Sequence, residues 1–422
     1  MQIALASAVR KRTCIAAVLA ATSLYIVVAA GDFIASWLSG RPDLRSLRFA
    51  TRIDPWNAEY VNRVGRYYDL VGNDPSAALI EYKRSVQINP HNARYWLNLA
   101  NTYQLIGDPT SQAEAIEKAT FYDSKTPEVA WEAANLYLVQ GQTDKALGEF
   151  RTVMEGDPFM IERSLQLCWR IRPDVDQLLR DVVPPGQETY ERFLAQLMQK
   201  NETESTFKVW EALFGLGQRI ALPRVFDYIR YLLLHKEVDV ASRVWRQATS
   251  LQEMSAYLPS SNNLIVDGSF SLPVVNGGFD WQYRKPSAVT LTLDPGEFRS
   301  GPRSLSISFD GSEIKDADIF QVIAVEANTA YEFSGYYKSQ DIEGAGGPCF
   351  VLQDVYSGAT YYQSAELKDA DFWKSVSGEF TTGPETRLLV LHVLRLPAGS
   401  PIRGKLWIDD LQLARKATEG QS

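Results

Sequence analysis

The first half of the chain carries a ladder of matching residues spaced 34 or 35 positions apart. Tyr68, Tyr103 and Tyr137 align, as do Gly72, Gly107 and Gly141. Further along each unit come Tyr82, Ile116 and Phe150, then Ser85, Ala119 and Val153, then Pro90, Ser124 and Pro158. A fixed period of this length marks helix–turn–helix units. None of them buries its apolar face alone, so neighbours stack into a solenoid. Small residues at Gly65, Ala78 and Ala100 let helices cross closely, and Tyr68, Tyr103 and Phe150 fill the space beside them. The pattern predicts that Gly72, Gly107 and Gly141 each end a first helix in a left-handed turn. Pro90 and Pro158 should stop the second helices. Gln112 stands where a small residue is expected, which predicts a weakened helix junction.

The ladder resembles the tetratricopeptide repeat family. The best unit runs from Pro127 to Pro158 and carries Trp131, Ala134, Asn135, Tyr137, Gly141, Ala146 and Phe150. Units before it start near Ala93 and Ala58, and Leu44 to Pro55 read as the second helix of an incomplete unit. The resemblance implies a concave groove lined by the first helix of each pair. By register its candidates are Asn62, Arg66 and Asp69, then Arg94, Leu97, Asn101 and Gln104, then Trp131, Asn135 and Leu138. It also implies a protein partner there, with Asn101 and Asn135 bonding a bound peptide backbone. For Trp131, packing and binding both remain open. Helical texture continues to Tyr257, and two further helix pairs are expected, at Gln187–Phe214 and Leu222–Ser250.

The N-terminus bears on compartment. Arg10, Lys11 and Arg12 precede an apolar run from Cys14 to Ala30, extended by residues 33–38. Positive charge ahead of such a run holds that end in the cytoplasm. A single-pass anchor in a bacterial inner membrane follows, with the bulk of the chain in the periplasm. A signal peptide cleaved near Val28-Ala29-Ala30 is the alternative.

After Leu258-Pro259-Ser260-Ser261-Asn262 the texture changes from helical period to alternation, as in Ser304–Phe309 and Gln321–Val325. Short alternating strands between Gly, Pro and Asp turns predict an all-β sandwich. The segments Asn263–Phe270, Gly301–Leu305, Tyr331–Lys338, Phe372–Phe380 and Leu406–Leu411 resemble the galactose-binding-like jelly rolls that serve as carbohydrate-binding modules. That resemblance implies a polysaccharide ligand and a structural calcium, with Asp267 and Asp410 in the matching positions. Sugar recognition needs aromatic faces beside amides. The candidates are Trp281, Tyr283, Tyr356, Tyr361 and Tyr362, with Gln353 and Gln363 as polar partners. Alternation puts Tyr361 and Tyr362 on opposite faces.

The expected fold class is therefore multidomain α + β: an N-terminal transmembrane helix, an α-solenoid of tetratricopeptide-like helix pairs and a C-terminal jelly-roll sandwich. The expected boundaries are 1–12 cytoplasmic, 13–38 anchor, 41–160 repeats, 161–257 divergent helical repeats and 263–415 sandwich. The net charge of −8 over 422 residues, with no basic stripe, argues against nucleic acid. Cys14, Cys168 and Cys349 form no CxxC pair, and His91, His235 and His392 lie far apart. No nucleophile elbow, phosphate loop or HExxH motif is present, so a binding role is expected and catalysis is not. Three roles stay open: an anchored scaffold serving envelope polysaccharide biogenesis or export, a pure protein adaptor, and a secreted adhesin.

Overall fold

The computed structural model describes residues 8–284 and 288–416. The chain divides into two compact units, one through Gln196 and one from Leu197.

The first unit begins with α1 (Ala8–Ser39), followed by α2 (Leu44–Ile53), α3 (Ala58–Leu70), α4 (Pro75–Ile88), α5 (Ala93–Ile106) and α6 (Pro109–Tyr122). Then come α7 (Pro127–Val139), α8 (Thr143–Gly156), α9 (Ile161–Ile171), the short α10 (Val175–Gln177) and most of α11 (Gln187–Gln199). Helices pair as α3–α4, α5–α6 and α7–α8, and each pair packs on the next. Repeated caps set the boundaries. Asp74 and Asp108 accept from the backbone N–H of Ala77 and Ser111, each just ahead of a first-turn proline.

The crossing logic holds at Gly65, where a Cβ would lie 2.7 Å from the Tyr82 ring. Two expectations change. Gly107 and Gly141 adopt the left-handed conformation, but in the first unit Asn73 takes it (φ 47°) and Gly72 does not. Asparagine tolerates this region, so the turn shifts by one residue. Gln112 is buried without weakening its junction, because it stands in a chain of amides. Gln142 donates to Gln140 (2.8 Å), Gln140 to Gln112 (3.0 Å) and Gln112 to Gln104 (3.4 Å).

α1 is long and apolar enough to cross a membrane, a test that a signal sequence also passes. Its last turns do a second job. Ala35 and Ser39 are buried, a Cβ at Gly31 would lie 3.6 Å from Ile53 Cγ2, and Arg63 donates to the Ser39 carbonyl at 3.0 Å. The end of α1 is the missing first helix of the incomplete unit, and α2 is its partner.

Among the described residues the second unit holds α12 (Thr203–Gly215), α13 (Leu222–Leu234) and α14 (Val238–Leu251), then ten strands. These are β1 (Gln282–Tyr283), β2 (Val289–Asp294), β3 (Ser304–Ile314), β4 (Asp316–Ala324) and β5 (Ala330–Glu343). They continue as β6 (Gly347–Asp354), β7 (Thr360–Gln363), β8 (Lys374–Thr381), β9 (Leu388–Leu396) and β10 (Ser400–Arg415). Two five-stranded antiparallel sheets result, ordered β1-β4-β9-β6-β7 and β2-β3-β10-β5-β8. Alternate residues such as Ile307, Phe333, Phe350, Leu391 and Ile408 fill the core between them.

The sheets differ on their outer faces. α13 and α14 cover the β1-β4-β9-β6-β7 sheet. Phe226 lies against Gly277, Trp245 lies against Gly278, and Arg387 pairs with Asp239 at 2.8 Å. A Cβ at either glycine would fall within 2.6 Å of those rings, so the close approach requires glycine at both positions. The three helices belong to the same compact unit as the sandwich, although the change of texture comes later in sequence, near residue 258.

Candidate functional site

In the first unit α5 and α7 flank a cavity of about 530 Å³. Its lining includes Asn101 and Gln104 of α5 with Trp131 and Asn135 of α7, four of the groove residues read from the register. Asn101 Nδ2 donates to the Leu97 carbonyl (3.1 Å) and to Glu132 Oε1 (2.6 Å), and Asn135 Nδ2 donates to the Trp131 carbonyl (2.7 Å). Trp131 packs and also reaches the cavity. It meets Phe150 edge-on at 5.6 Å and also lines the cavity, with Arg163 at 4.9 Å from its centroid.

The remaining groove candidates lie elsewhere. Asn62 is 3% exposed and accepts from Asn98 Nδ2 at 3.0 Å, so its amide ties neighbouring first helices together and is not offered to a ligand. Arg66 and Arg94 are exposed but outside the lining. Glu132 and Asp157 do line the cavity, and the sequence reading missed both. Register from α7 could have found Glu132, since it neighbours Trp131 on the same helix.

In the second unit a polar groove of about 840 Å³ crosses the uncovered face of the β2-β3-β10-β5-β8 sheet. Register builds its floor: Gln412, Ser334 and Ser377 stand in one row, Asp409, Tyr336 and Ser375 in the next. A bulge in β10 follows Asp409, and Asp410 sits in it with φ 52°. The extra residue turns the Asp410 carboxylate toward the groove wall, where it takes Arg299 and the Ser300 hydroxyl. The Arg299 guanidinium also lies 3.5 Å from the Tyr336 centroid. Beneath them Asp409 is fully buried and accepts from the Arg299 and Ser300 backbone N–H groups at 2.8 and 3.1 Å. Burial pushes its carboxyl upward.

The expected calcium does not fit these residues. Asp267 spends its two oxygens on the Ser271 and Leu272 N–H groups (2.7 and 3.0 Å), and both Asp410 oxygens are engaged as above. No group of three or more His, Cys, Asp or Glu that could hold a metal occurs among the described residues. Calcium wants six or more oxygens.

The sugar candidates read from sequence do not line this groove. Trp281 is 1% exposed, its ring tilted against Phe270 at 5.0 Å, with Nε1 donating to the Asp267 carbonyl. It is a core residue, and no sugar ring can reach its face. Tyr356 donates to the Leu233 carbonyl at 2.8 Å and so belongs to the helix–sheet contact. Tyr361 shares a bond with Thr386 (2.7 Å), and Tyr362 packs 5.1 Å from Phe333, so both press on the core. Gln353 donates to Thr360 across a turn (3.1 Å). Tyr283 is the exposed aromatic among them, at 36%, on β1 of the other sheet, and Gln363 is exposed at the end of β7. Tyr336 was missed because the alternating run Tyr331–Tyr337 gives no sign of which tyrosine faces out; only pairing with β10 settles it.

Two carboxyls, Asp280 buried and Asp267 half-buried, make unit stability depend on pH. Burial pushes Asp267 up to about 6 and Asp280 up to about 6, against backbone N–H bonds that pull both down. Unfolded aspartates titrate near 4, so the folded chain holds these protons more tightly. Their stabilising effect is complete below about pH 4 and is lost as pH rises through about 6. Melting temperature should therefore climb as the buffer is taken from about pH 7 to about pH 5.5, and Asp280→Asn should flatten the climb. A wild-type melting temperature that drops across this interval would refute the assignment.

No protein-family model matches this chain, and no curated protein does. Among solved structures it is similar to a crystal structure of MamA, at 20% identity over 38% of this chain and 88% of that one, with a TM-score of 0.29. It is also similar to the CBM22-1 xylan-binding domain from Paenibacillus barcinonensis Xyn10C, at 19% identity over 38% of this chain and 99% of that one (TM-score 0.27). A third is TmCBM61 in complex with beta-1,4-galactotriose, at 18% identity over 37% of this chain and all of that one (100%; TM-score 0.27).

Proposed function

We propose that this chain is a binding protein and not an enzyme. It is a membrane-anchored, periplasm-facing scaffold whose repeats dock a protein partner and whose sandwich binds glycan, in the making or export of envelope polysaccharide. The observation that carries the reading is the sandwich groove. Serine hydroxyls, Glu332 and Gln412 supply donors and acceptors around Tyr336, on the outer sheet face that the described helices leave uncovered. Sugar hydroxyls both donate and accept, and such a surface matches them.

The test is retention of polysaccharides by the purified full chain in detergent, with Tyr336→Ala alongside. Selective retention is expected, weakened about tenfold by the substitution, which corresponds to about 1.4 kcal/mol. The melting temperature of the variant should stay near that of wild type. If wild type retains no polysaccharide, the glycan half of the reading falls.

The adaptor reading is favoured by the solenoid cavity on its own. Among the described residues nothing donates to Asn101 Oδ1 or Asn135 Oδ1, which suits a peptide backbone N–H. A photocrosslinker at Gln104 should trap a partner that Asn135→Ala releases.

A further inference from the structure

We propose that one edge of the helical stack lies on the bilayer surface from which α1 emerges, with Trp56 and Phe121 seated in the interfacial layer. The inference rests on the anchor reading of α1 and adds a second contact to it. Its first support is the fusion of the apolar helix with the first repeat. Because α2 runs back along α1 until Ile53 reaches Gly31, the turn after α2 arrives level with the end of the apolar run at Ala30. Trp56 stands on that turn, 81% exposed.

The second support is the distribution of exposed aromatics. Helices in each pair are antiparallel, so every turn that follows a second helix lies on the edge where α1 enters. Trp56 follows α2, Phe121 closes α6 at 78% exposure and Phe159 follows α8 at 91%. On the opposite edge the ends of α3, α5 and α7 carry aliphatic residues, Leu70, Leu105 and Val139, at 72%, 64% and 61%, and the one aromatic among the described first-helix ends there is Trp37 of α1, at 56% and covered by Arg41 at 3.9 Å from its centroid. Tryptophan, with an apolar ring and a polar N–H, collects at membrane–water interfaces, and phenylalanine beside it supplies apolar area to the same layer. Arg52 and Arg84 are exposed beside Trp56, and Arg84 donates to the Pro55 carbonyl, so headgroup phosphates have cationic partners at that turn. Continuity with the membrane-crossing helix is what selects a lipid surface over a protein as the occupant.

The experiment uses the full chain in lipid nanodiscs of phosphatidylcholine with phosphatidylglycerol, with Cys14 replaced by serine; Cys168 and Cys349 are buried. Single cysteines at Trp56→Cys, Phe121→Cys and Leu105→Cys carry an environment-sensitive fluorophore, and lipids spin-labelled near the headgroup act as quenchers. Blue-shifted emission and quenching at positions 56 and 121, both absent at 105, are the expected result. Quenching at 56 or 121 no greater than at 105, in chain retained by the discs, overturns the proposal and leaves the anchor intact. Chain that fails to enter discs overturns both together.

Discussion

Gly268→Ala is expected to cost the second unit about 3 kcal/mol or more, because the added methyl meets backbone and not side chain. A Cβ at Gly268 would lie 2.0 Å from the Leu411 carbonyl oxygen and 3.0 Å from its carbon. Neither strand of that contact is free to retreat. Leu411 N–H donates to the Gly268 carbonyl at 2.9 Å, and Leu264 N–H donates to the Leu413 carbonyl at 2.8 Å, so the segment 263–269 is stitched to β10 on both sides of the clash. Relief means breaking those bonds, at about 1 kcal/mol each, in a domain whose whole stability is of order 5–15 kcal/mol. The melting temperature should fall by on the order of 10 °C. The same substitution at Gly148, in the middle of α8 with nothing within 4 Å of the new methyl, should raise stability by about 0.5–1 kcal/mol. A Gly268→Ala protein that melts within about 2 °C of wild type would show that the segment and β10 do not meet as described. Polysaccharide retention should fall with it, since residues 263–269 wall the polar groove.

What the sequence disclosed follows from how far apart the interacting residues lie. The solenoid was legible because its contacts are local and repeat: Gly65 meets Tyr82 within one unit, and the ladder shows that relation three times. Four groove residues converge on the cavity for the same reason, since register alone places Asn101, Gln104, Trp131 and Asn135 on adjacent first helices. Register fails where a position is occupied by a pairing residue, as with Asn62 and its bond to Asn98. The sandwich was legible as alternation, but alternation says nothing about which face a helix will cover. Nothing in the sequence singles out Gly277 and Gly278, and only the fold reveals that they receive Phe226 and Trp245, residues more than thirty positions earlier in the chain. With that sheet covered, the groove lies on the other one, built from Ser334, Tyr336, Ser377 and Gln412, none of which carries a local signature. The Asp410 carboxylate was noticed in the sequence for its place in a motif. Its bonding to Arg299 and Ser300 depends on a bulge that no local pattern announces.

Trp281→Ala should destabilise the second unit by about 3–5 kcal/mol, the range for emptying a large aromatic site in a close-packed core. The indole is 1% exposed among residues of both sheets, and its Nε1–H donates to the Asp267 carbonyl alongside the Phe270 N–H. Truncation therefore removes contact with Phe270 and one of the two donors to the Asp267 carbonyl, the Phe270 N–H remaining at 3.0 Å. Trp281→Phe keeps most of the ring volume and loses the donor, so about 1–2 kcal/mol is expected. These two variants separate a core residue from a sugar platform. A platform on the surface would give the opposite pattern: glycan retention lost in both variants, with melting temperature hardly changed. Instead the phenylalanine variant, assayed well below its melting temperature, should retain polysaccharide as wild type does, because the groove floor of Tyr336, Ser377 and Gln412 is built on the other sheet. Loss of retention in Trp281→Phe at unchanged melting temperature would move the sugar site to the β1 side of the sandwich, where Tyr283 is exposed, and would withdraw the polar groove as the place where glycan binds.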